Sequence, residues 1–251
     1  MANFLYEDPK IRAVTGDTLR PGGFALTERA VEWCALPVGA KTLDVGCGLG
    51  ATTYHLRNKY RFNAFGIDRS AAFLNEISNN EHPSTVFQAE GHALPFFDET
   101  FDAVISECVL SLIRNVQPVM KELFRVLAPG GYLIVSDIYQ RSPETNRNSS
   151  AYDKFESCLN YAPSRDDSLK VVQNAGFEVV LWEDHSKYLK ELAAKLIFEY
   201  GGSESPWPVT ACSRSVSCGP GLLKPGYYLL IAWKKTSCKQ PYQGRNDDHC
   251  R

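Results

Sequence analysis

Three glycines stand at every second position, Gly46, Gly48 and Gly50, in the run TLDVGCGLGA that spans residues 42–51, with Asp44 two residues before the first of them. Bare backbone can bend sharply and lets a ligand approach with no side chain in the way. Two ligand classes suit such a loop. A dinucleotide asks for G-x-G-x-x-G/A, which Gly46, Gly48 and Ala51 satisfy. S-adenosylmethionine asks for an acid followed by G-x-G-x-G, which Asp44, Gly46, Gly48 and Gly50 satisfy. Asp68, at the end of the next expected strand, suits a ribose diol in either case. The loop alone does not separate the two.

The second group of reactive residues is sulfur. Eight cysteines occur, at 34, 47, 108, 158, 212, 218, 238 and 250. A single cysteine is ordinarily a small buried apolar filler. Two of these, Cys108 in ISECVLSLI and Cys158 in FESCLNYA, sit in similar surroundings, each with an acid one or two residues before it and an apolar residue after it. Thiolates are soft ligands. Cys212 and Cys218 fall in a Ser/Gly/Pro/Cys-rich stretch, 201–226, and are further possible ligands. No C-x-x-C pair is present, and the spacing of Cys238, His249 and Cys250 in a polar tail fits no common zinc pattern. For removing a proton from an acceptor, Glu107, Asp137 and His185 are candidates by their places at strand ends. Each also reads as a solvated carboxylate or a satisfied surface histidine, and His92 reads as structural.

The elements that must position these groups follow from period and punctuation. Strands are expected at 42–46, 64–68, 85–89, 101–107, 131–139, 177–184 and 227–235. Helices are expected at 26–36, 51–59, 71–78, 116–127, 166–174 and 187–200, the fourth stopping at Ala128-Pro129-Gly130-Gly131. Strands alternating with helices predict a mostly parallel sheet covered on both faces, with right-handed crossovers. One α/β domain covers residues 1–235, with 1–36 as an N-terminal cap that includes Tyr6 and Arg20, the 201–226 insertion before the last strand, and a polar tail at 236–251. The cap is able to act as a lid or simply to pack on the sheet.

Taken together, DVGCGLGA, AEGHALPFFDETFDAVISE and LFRVLAPGGYLIVSD, in that order over roughly residues 20–180, resemble the class I, seven-stranded S-adenosylmethionine-dependent methyltransferases. The resemblance implies a doubly wound sheet whose last strand is antiparallel, with S-adenosylmethionine as cofactor. It implies that Gly46, Gly48 and Gly50 carry the methionine end beside Asp44. Asp68 would hold the ribose, and Glu90, with Gly91 and His92, the adenine side. Glu107 and Cys108 would face the sulfonium. The cysteine pair Cys108 and Cys158 further resembles the arsenite methyltransferase branch, which implies a trivalent arsenic acceptor held by these thiols, with Cys212 and Cys218 as additional ligands. The chain departs from that branch at Thr15-Gly16-Asp17, where a cysteine is usual, at Leu159-Asn160-Tyr161, and through LRPGGFALTERAV. An O-, N- or C-methyltransferase of a small organic substrate, and a non-catalytic cofactor-binding accessory protein, stay open as alternatives.

Charge and length bound the partners. The chain has 251 residues, 44% hydrophobic and 22% charged, with Lys+Arg 27 against Asp+Glu 29 and a net charge of −2. That balance gives no reason to expect nucleic acid. The start, MANFLYEDPKIRAV, has acids and a proline where a signal peptide carries a basic end and an apolar run. No apolar run approaches the roughly 20 residues of a membrane span. The expectation is a cytoplasmic enzyme acting on a small-molecule or metalloid acceptor.

Overall fold

Seven strands form a single sheet in the order β3-β2-β1-β4-β5-β7-β6. The computed structural model describes Tyr6 and residues 8–79, 85–141, 161–204 and 224–235. The strands are β1 Lys41–Val45, β2 Asn63–Asp68, β3 Val86–Gln88, β4 Phe101–Glu107, β5 Leu127–Gln140, β6 Glu178–Asp184 and β7 Pro225–Trp233. The helices are α1 Pro9–Thr15, α2 Ala25–Cys34, α3 Ala51–Tyr60, α4 Ala71–Asn79, α5 Gln117–Val126, α6 Arg165–Asn174 and α7 Ser186–Glu204, with Gly201 breaking α7 at φ 72°. Strands β1 to β5 pair in parallel, and β7 runs antiparallel to both β5 and β6.

Two cores flank the sheet because strand side chains alternate. On β7, Leu229 and Ile231 join the core under α2 and α7, while Leu230 and Ala232 join the core under α5 and α6. Helix α5 buries Val119, Met120, Leu123 and Val126, one stripe at helical spacing. Its last carbonyls are taken by Lys234, whose Nζ donates to the carbonyls of Phe124 at 3.0 Å and Leu127 at 2.8 Å. Helix α6 starts at Ser164, whose hydroxyl accepts from the Asp167 N–H at 3.1 Å.

The chain runs outward from β1 through β2 to β3, then returns to place β4 on the other side of β1. The carboxyl ends of β1 and β4 therefore flank the crevice where such sheets bind ligands. Both the glycine turn after β1 and Cys108 after β4 open there.

Most expected elements are present with ends shifted by a residue or two. Strand β5 starts four residues earlier than expected: Leu127 pairs with Phe101, and after an irregularity Ala103 pairs with Tyr132. The missing side chain of Gly131 lets the backbone pass this closely, since a Cβ there would lie 2.9 Å from the Ala128 carbonyl oxygen. The N-terminal cap contains α1, capped by Asp8, and a 3-10 turn at Gly16–Thr18 before α2. Most of the 201–226 insertion, and all of the 236–251 tail, lie outside the described residues. Among the described residues, no helix is long and apolar enough to cross a membrane.

Candidate active site

A cavity of about 390 Å³ opens over the carboxyl ends of β1, β2 and β4. Of the residues singled out in the sequence, Asp44, Gly46, Gly48, Asp68, Glu90, Gly91, His92, Glu107 and Cys108 line it. Gly50 does not. It caps α3 with φ 75°, and a Cβ there would meet only Val86 and Ile77 at ordinary contact. Cys158, Cys212 and Cys218 lie outside the described residues.

The glycine turn is shaped from two sides. The Gly46 and Cys47 N–H groups both donate to the Ile67 carbonyl, at 2.8 and 2.9 Å, tying the turn to β2. Gly46 has φ 78°, and a Cβ placed on it would come 2.3 Å from Cγ2 of Val109. The loop after β4 thus occupies the room a side chain would need. Asp68 reinforces the turn: Oδ2 accepts from Gly48 N–H and Oδ1 from Ser70 N–H, both at 2.8 Å.

Three carboxylates and one guanidinium surround this turn. Asp44 is buried and meets the Thr53 hydroxyl at a long 3.4 Å. Burial above all, then Glu107 and Asp68, push its pKa up to about 8, against the pull of Arg20 and Thr53. Glu107 is fully engaged. Its Oε2 faces Arg20 Nη2 at 2.9 Å and accepts from Thr52 at 3.0 Å, while Oε1 accepts from Thr27 at 2.8 Å. As a proton acceptor Glu107 is therefore blocked by a buried cation. Arg20, which the sequence suggested only as part of a cap that closes as a lid or packs on the sheet, is the group that blocks it; its partner lies in a strand far along the chain, which no local pattern reports.

The other two proton-acceptor candidates are committed elsewhere. Asp137 accepts from the Ser111 hydroxyl, from the Ser111 N–H at 3.0 Å and from the Ile138 N–H at 2.7 Å, so it clamps the loop after β4. Burial raises its pKa to about 6 against those hydrogen bonds, and it does not line the cavity. His185 pairs with Glu183 at 2.9 Å and stacks on Tyr188, also away from the cavity.

Cys108 has φ 57°, which turns the chain off the end of β4. Its Sγ lies 3.4 Å from the hydroxyl of the fully buried Tyr227, which in turn lies 3.2 Å from Ser136 Oγ. Burial, with Asp137 next, pushes the thiol pKa up, so Cys108 is a neutral thiol. Around it the wall is apolar, with Val109, Leu112, Ile113, Ile138 and Leu192. Cys34 and Cys47 are buried, Cys34 as a filler in the core under α2. Among the described residues, no group of three or more His, Cys, Asp or Glu side chains is placed to hold a metal ion.

A buried carboxylate with one long hydrogen bond, at a glycine turn beside a roomy cavity, fits the cationic methionine end of S-adenosylmethionine. The comparisons agree. Residues 43–135 match the family model described as a methyltransferase domain. Phosphoethanolamine N-methyltransferase 1 of Triticum aestivum is 30% identical over 186 residues, 70% of this chain and 36% of that one. The arsenite methyltransferase of Halobacterium salinarum is 29% identical over 156 residues, 59% of this chain and 40% of that one. The chain thus spans well under half the length of these relatives. In shape it is similar to Haemonchus contortus phosphoethanolamine N-methyltransferase 2 in complex with phosphomonomethylethanolamine and S-adenosylhomocysteine. The TM-score is 0.71 at 16% identity, covering 90% of this chain and 56% of that one. With the sheet order, the glycine turn and the matched residues in agreement, the chain carries a methyltransferase domain of class I, the S-adenosylmethionine-dependent type.

Proposed function

We propose that this protein moves the methyl group of S-adenosylmethionine to a small acceptor that brings its own lone pair, and that the acceptor is a thiophilic species such as trivalent arsenic, bound through Cys108. One observation carries the reading: the two carboxylates near the end of β4 are consumed, Glu107 by Arg20 and two threonines and Asp137 by Ser111, whereas Cys108 is among the residues that line the cavity. S-adenosylmethionine supplies an electrophilic methyl on a cationic sulfur. The protein's part is then alignment and exclusion of water, with no proton to remove from the acceptor.

The neutral state of Cys108 is compatible with this role. An arsenic–sulfur bond forms on a metalloid hydroxide as the S–H proton leaves with the departing hydroxide as water, so no thiolate is needed beforehand. The arsenic lone pair stays available for the methyl. Cys108 is a single sulfur, and the reading requires Cys158, Cys212 or Cys218 to complete the set.

A second reading is an amine acceptor bearing a phosphate. It is favoured by the relatives that act on phosphoethanolamine and by Arg69 and Arg114 on the cavity lining. One assay separates the two. Reduced protein and S-adenosylmethionine are given arsenite with a thiol reductant, or phosphoethanolamine, and S-adenosylhomocysteine and methylated product are both quantified. Methylated arsenic that disappears in Cys108→Ser, with cofactor affinity changed by no more than about twofold, is the expected result. Turnover on phosphoethanolamine alone replaces the first reading with the second. Arsenic methylation that persists in Cys108→Ser overturns the acceptor role of that thiol.

A further inference from the structure

Arg20 lies between the 3-10 turn at Gly16–Thr18 and α2, in a stretch from which Asp17, Thr18, Leu19, Arg20 and Pro21 all line the cavity. Its guanidinium is 6% exposed and every nitrogen has a partner. Nε donates to the Gly23 carbonyl at 3.0 Å, Nη1 to the Thr52 hydroxyl at 2.9 Å, and Nη2 to the Thr27 hydroxyl and to Glu107, both at 2.9 Å. The two threonine hydroxyls in turn donate hydrogen bonds to Glu107. One side chain therefore joins the cap to α2, to α3 and to the end of β4, and the planar fork of a guanidinium is suited to that.

The stretch has turning points on both sides. Gly16, Leu19, Gly22 and Gly23 have φ of 64°, 54°, 78° and 59°. Leu19 is a non-glycine residue in the left-handed region, and its side chain lies 3.4 Å from where a Cβ on Gly48 would be. The ion pairs that Arg12 makes with Asp17 and Glu76 in the same cap are exposed, Arg12 being 40% accessible. Such pairs contribute little beside a buried, fully hydrogen-bonded one whose separation leaves two charges without partners.

We propose that Arg20 is the positioning residue of the cofactor site: it holds Asp17–Pro21 in place as a wall of the cavity, and ligand exchange requires Arg20 to part from Glu107 so that this wall can move. The proposal rests on the cofactor half of the methyltransferase reading and is independent of the acceptor. Because the pair is either closed and satisfied or open and hydrated, the wall has two states rather than a continuum.

The test is amide hydrogen exchange over residues 16–24, together with the dissociation rate of S-adenosylhomocysteine. In the wild-type chain the ligand slows exchange in this stretch. Arg20→Ala is expected to speed exchange there, and to speed ligand dissociation, by about tenfold or more, with KM for S-adenosylmethionine rising further than kcat falls. Arg20→Lys recovers part of the loss. Should Arg20→Ala fail to fold, Thr52→Val removes one bridging hydroxyl and keeps the ion pair, and a smaller shift in the same direction is expected. Exchange and dissociation matching wild type while Tm alone falls would reduce Arg20 to a packing role and overturn the proposal. The two failures are distinguishable: a wild-type chain that failed to bind S-adenosylhomocysteine would sink the methyltransferase reading and this proposal with it, whereas binding by the wild type with unchanged exchange and dissociation in Arg20→Ala would sink the proposal alone.

Discussion

Asp44 is the residue whose chemistry depends most on its surroundings. Its pKa rises from 3.8 to about 8, with burial the first cause. The folded chain therefore keeps a proton that the unfolded chain gives up between those values. Stability contributed by this group is present at low pH, declines as pH rises from about 4, and is lost beyond about 8. Asp44→Asn should accordingly raise Tm at pH 8 in the ligand-free protein and flatten its dependence on pH. A cationic ligand pulls the other way, because it favours the ionised acid. Affinity for S-adenosylmethionine should increase as pH rises towards 8 and then level off, with proton release on binding measured by calorimetry in two buffers of different ionisation heat. Constant affinity from pH 6 to 9 would remove Asp44 from the cofactor site. Asp68 is a different case, since both its oxygens hold backbone N–H groups. Asp68→Ala removes the tie between β2 and the glycine turn, and cofactor affinity should fall by about tenfold or more. An unchanged dissociation constant would contradict its assignment to the ribose.

At the scale of elements, the glycine turn shows what a motif reveals and what it conceals. The spacing of Gly46, Gly48 and Gly50 was readable, but the need for a bare Gly46 comes from Val109 of the β4 loop as much as from any ligand. Gly46→Ala should destabilise the fold by roughly 1–3 kcal/mol through overpacking and positive-φ strain, and adding Val109→Ala should return part of that, as read by urea denaturation. Lys234 holds the end of α5 through two carbonyls, and Lys234→Met should lower stability by about 1–3 kcal/mol by leaving them unpaired. Helix α5 was legible because burial on one side imposes a helical period on it, and strand β4 because it is a short, almost continuously buried run. The early start of β5 was not, since Leu127 extends only by pairing with Phe101. The Arg20–Glu107 pair was hidden for the same reason: both partners were visible as residues, and nothing local joins the cap to β4.

At the scale of the whole molecule, alternation of strands and helices was enough to give a mostly parallel, doubly wound sheet, and the antiparallel last strand followed only from the methyltransferase resemblance. The slot that β7 takes was not readable, because strand order is decided by which apolar faces meet in space. Strand β7 lies between β5 and β6 and pairs with β5 over nine positions, from Tyr132↔Trp233 to Gln140↔Pro225. This placement governs when the protein can finish folding on the ribosome. Until residues 225–233 have emerged, β5 and β6 have no partner between them, and β5 presents an open hydrogen-bonding edge to any other nascent chain. The same strand brings Tyr227 to Cys108, so the Cys108 side of the cavity matures last and with the sheet, not before it. Chains arrested before Pro225 should pellet in ribosome-release experiments while chains arrested well beyond Trp233 stay in solution. In a cell short of folding capacity, this strand is where loss of the protein would begin.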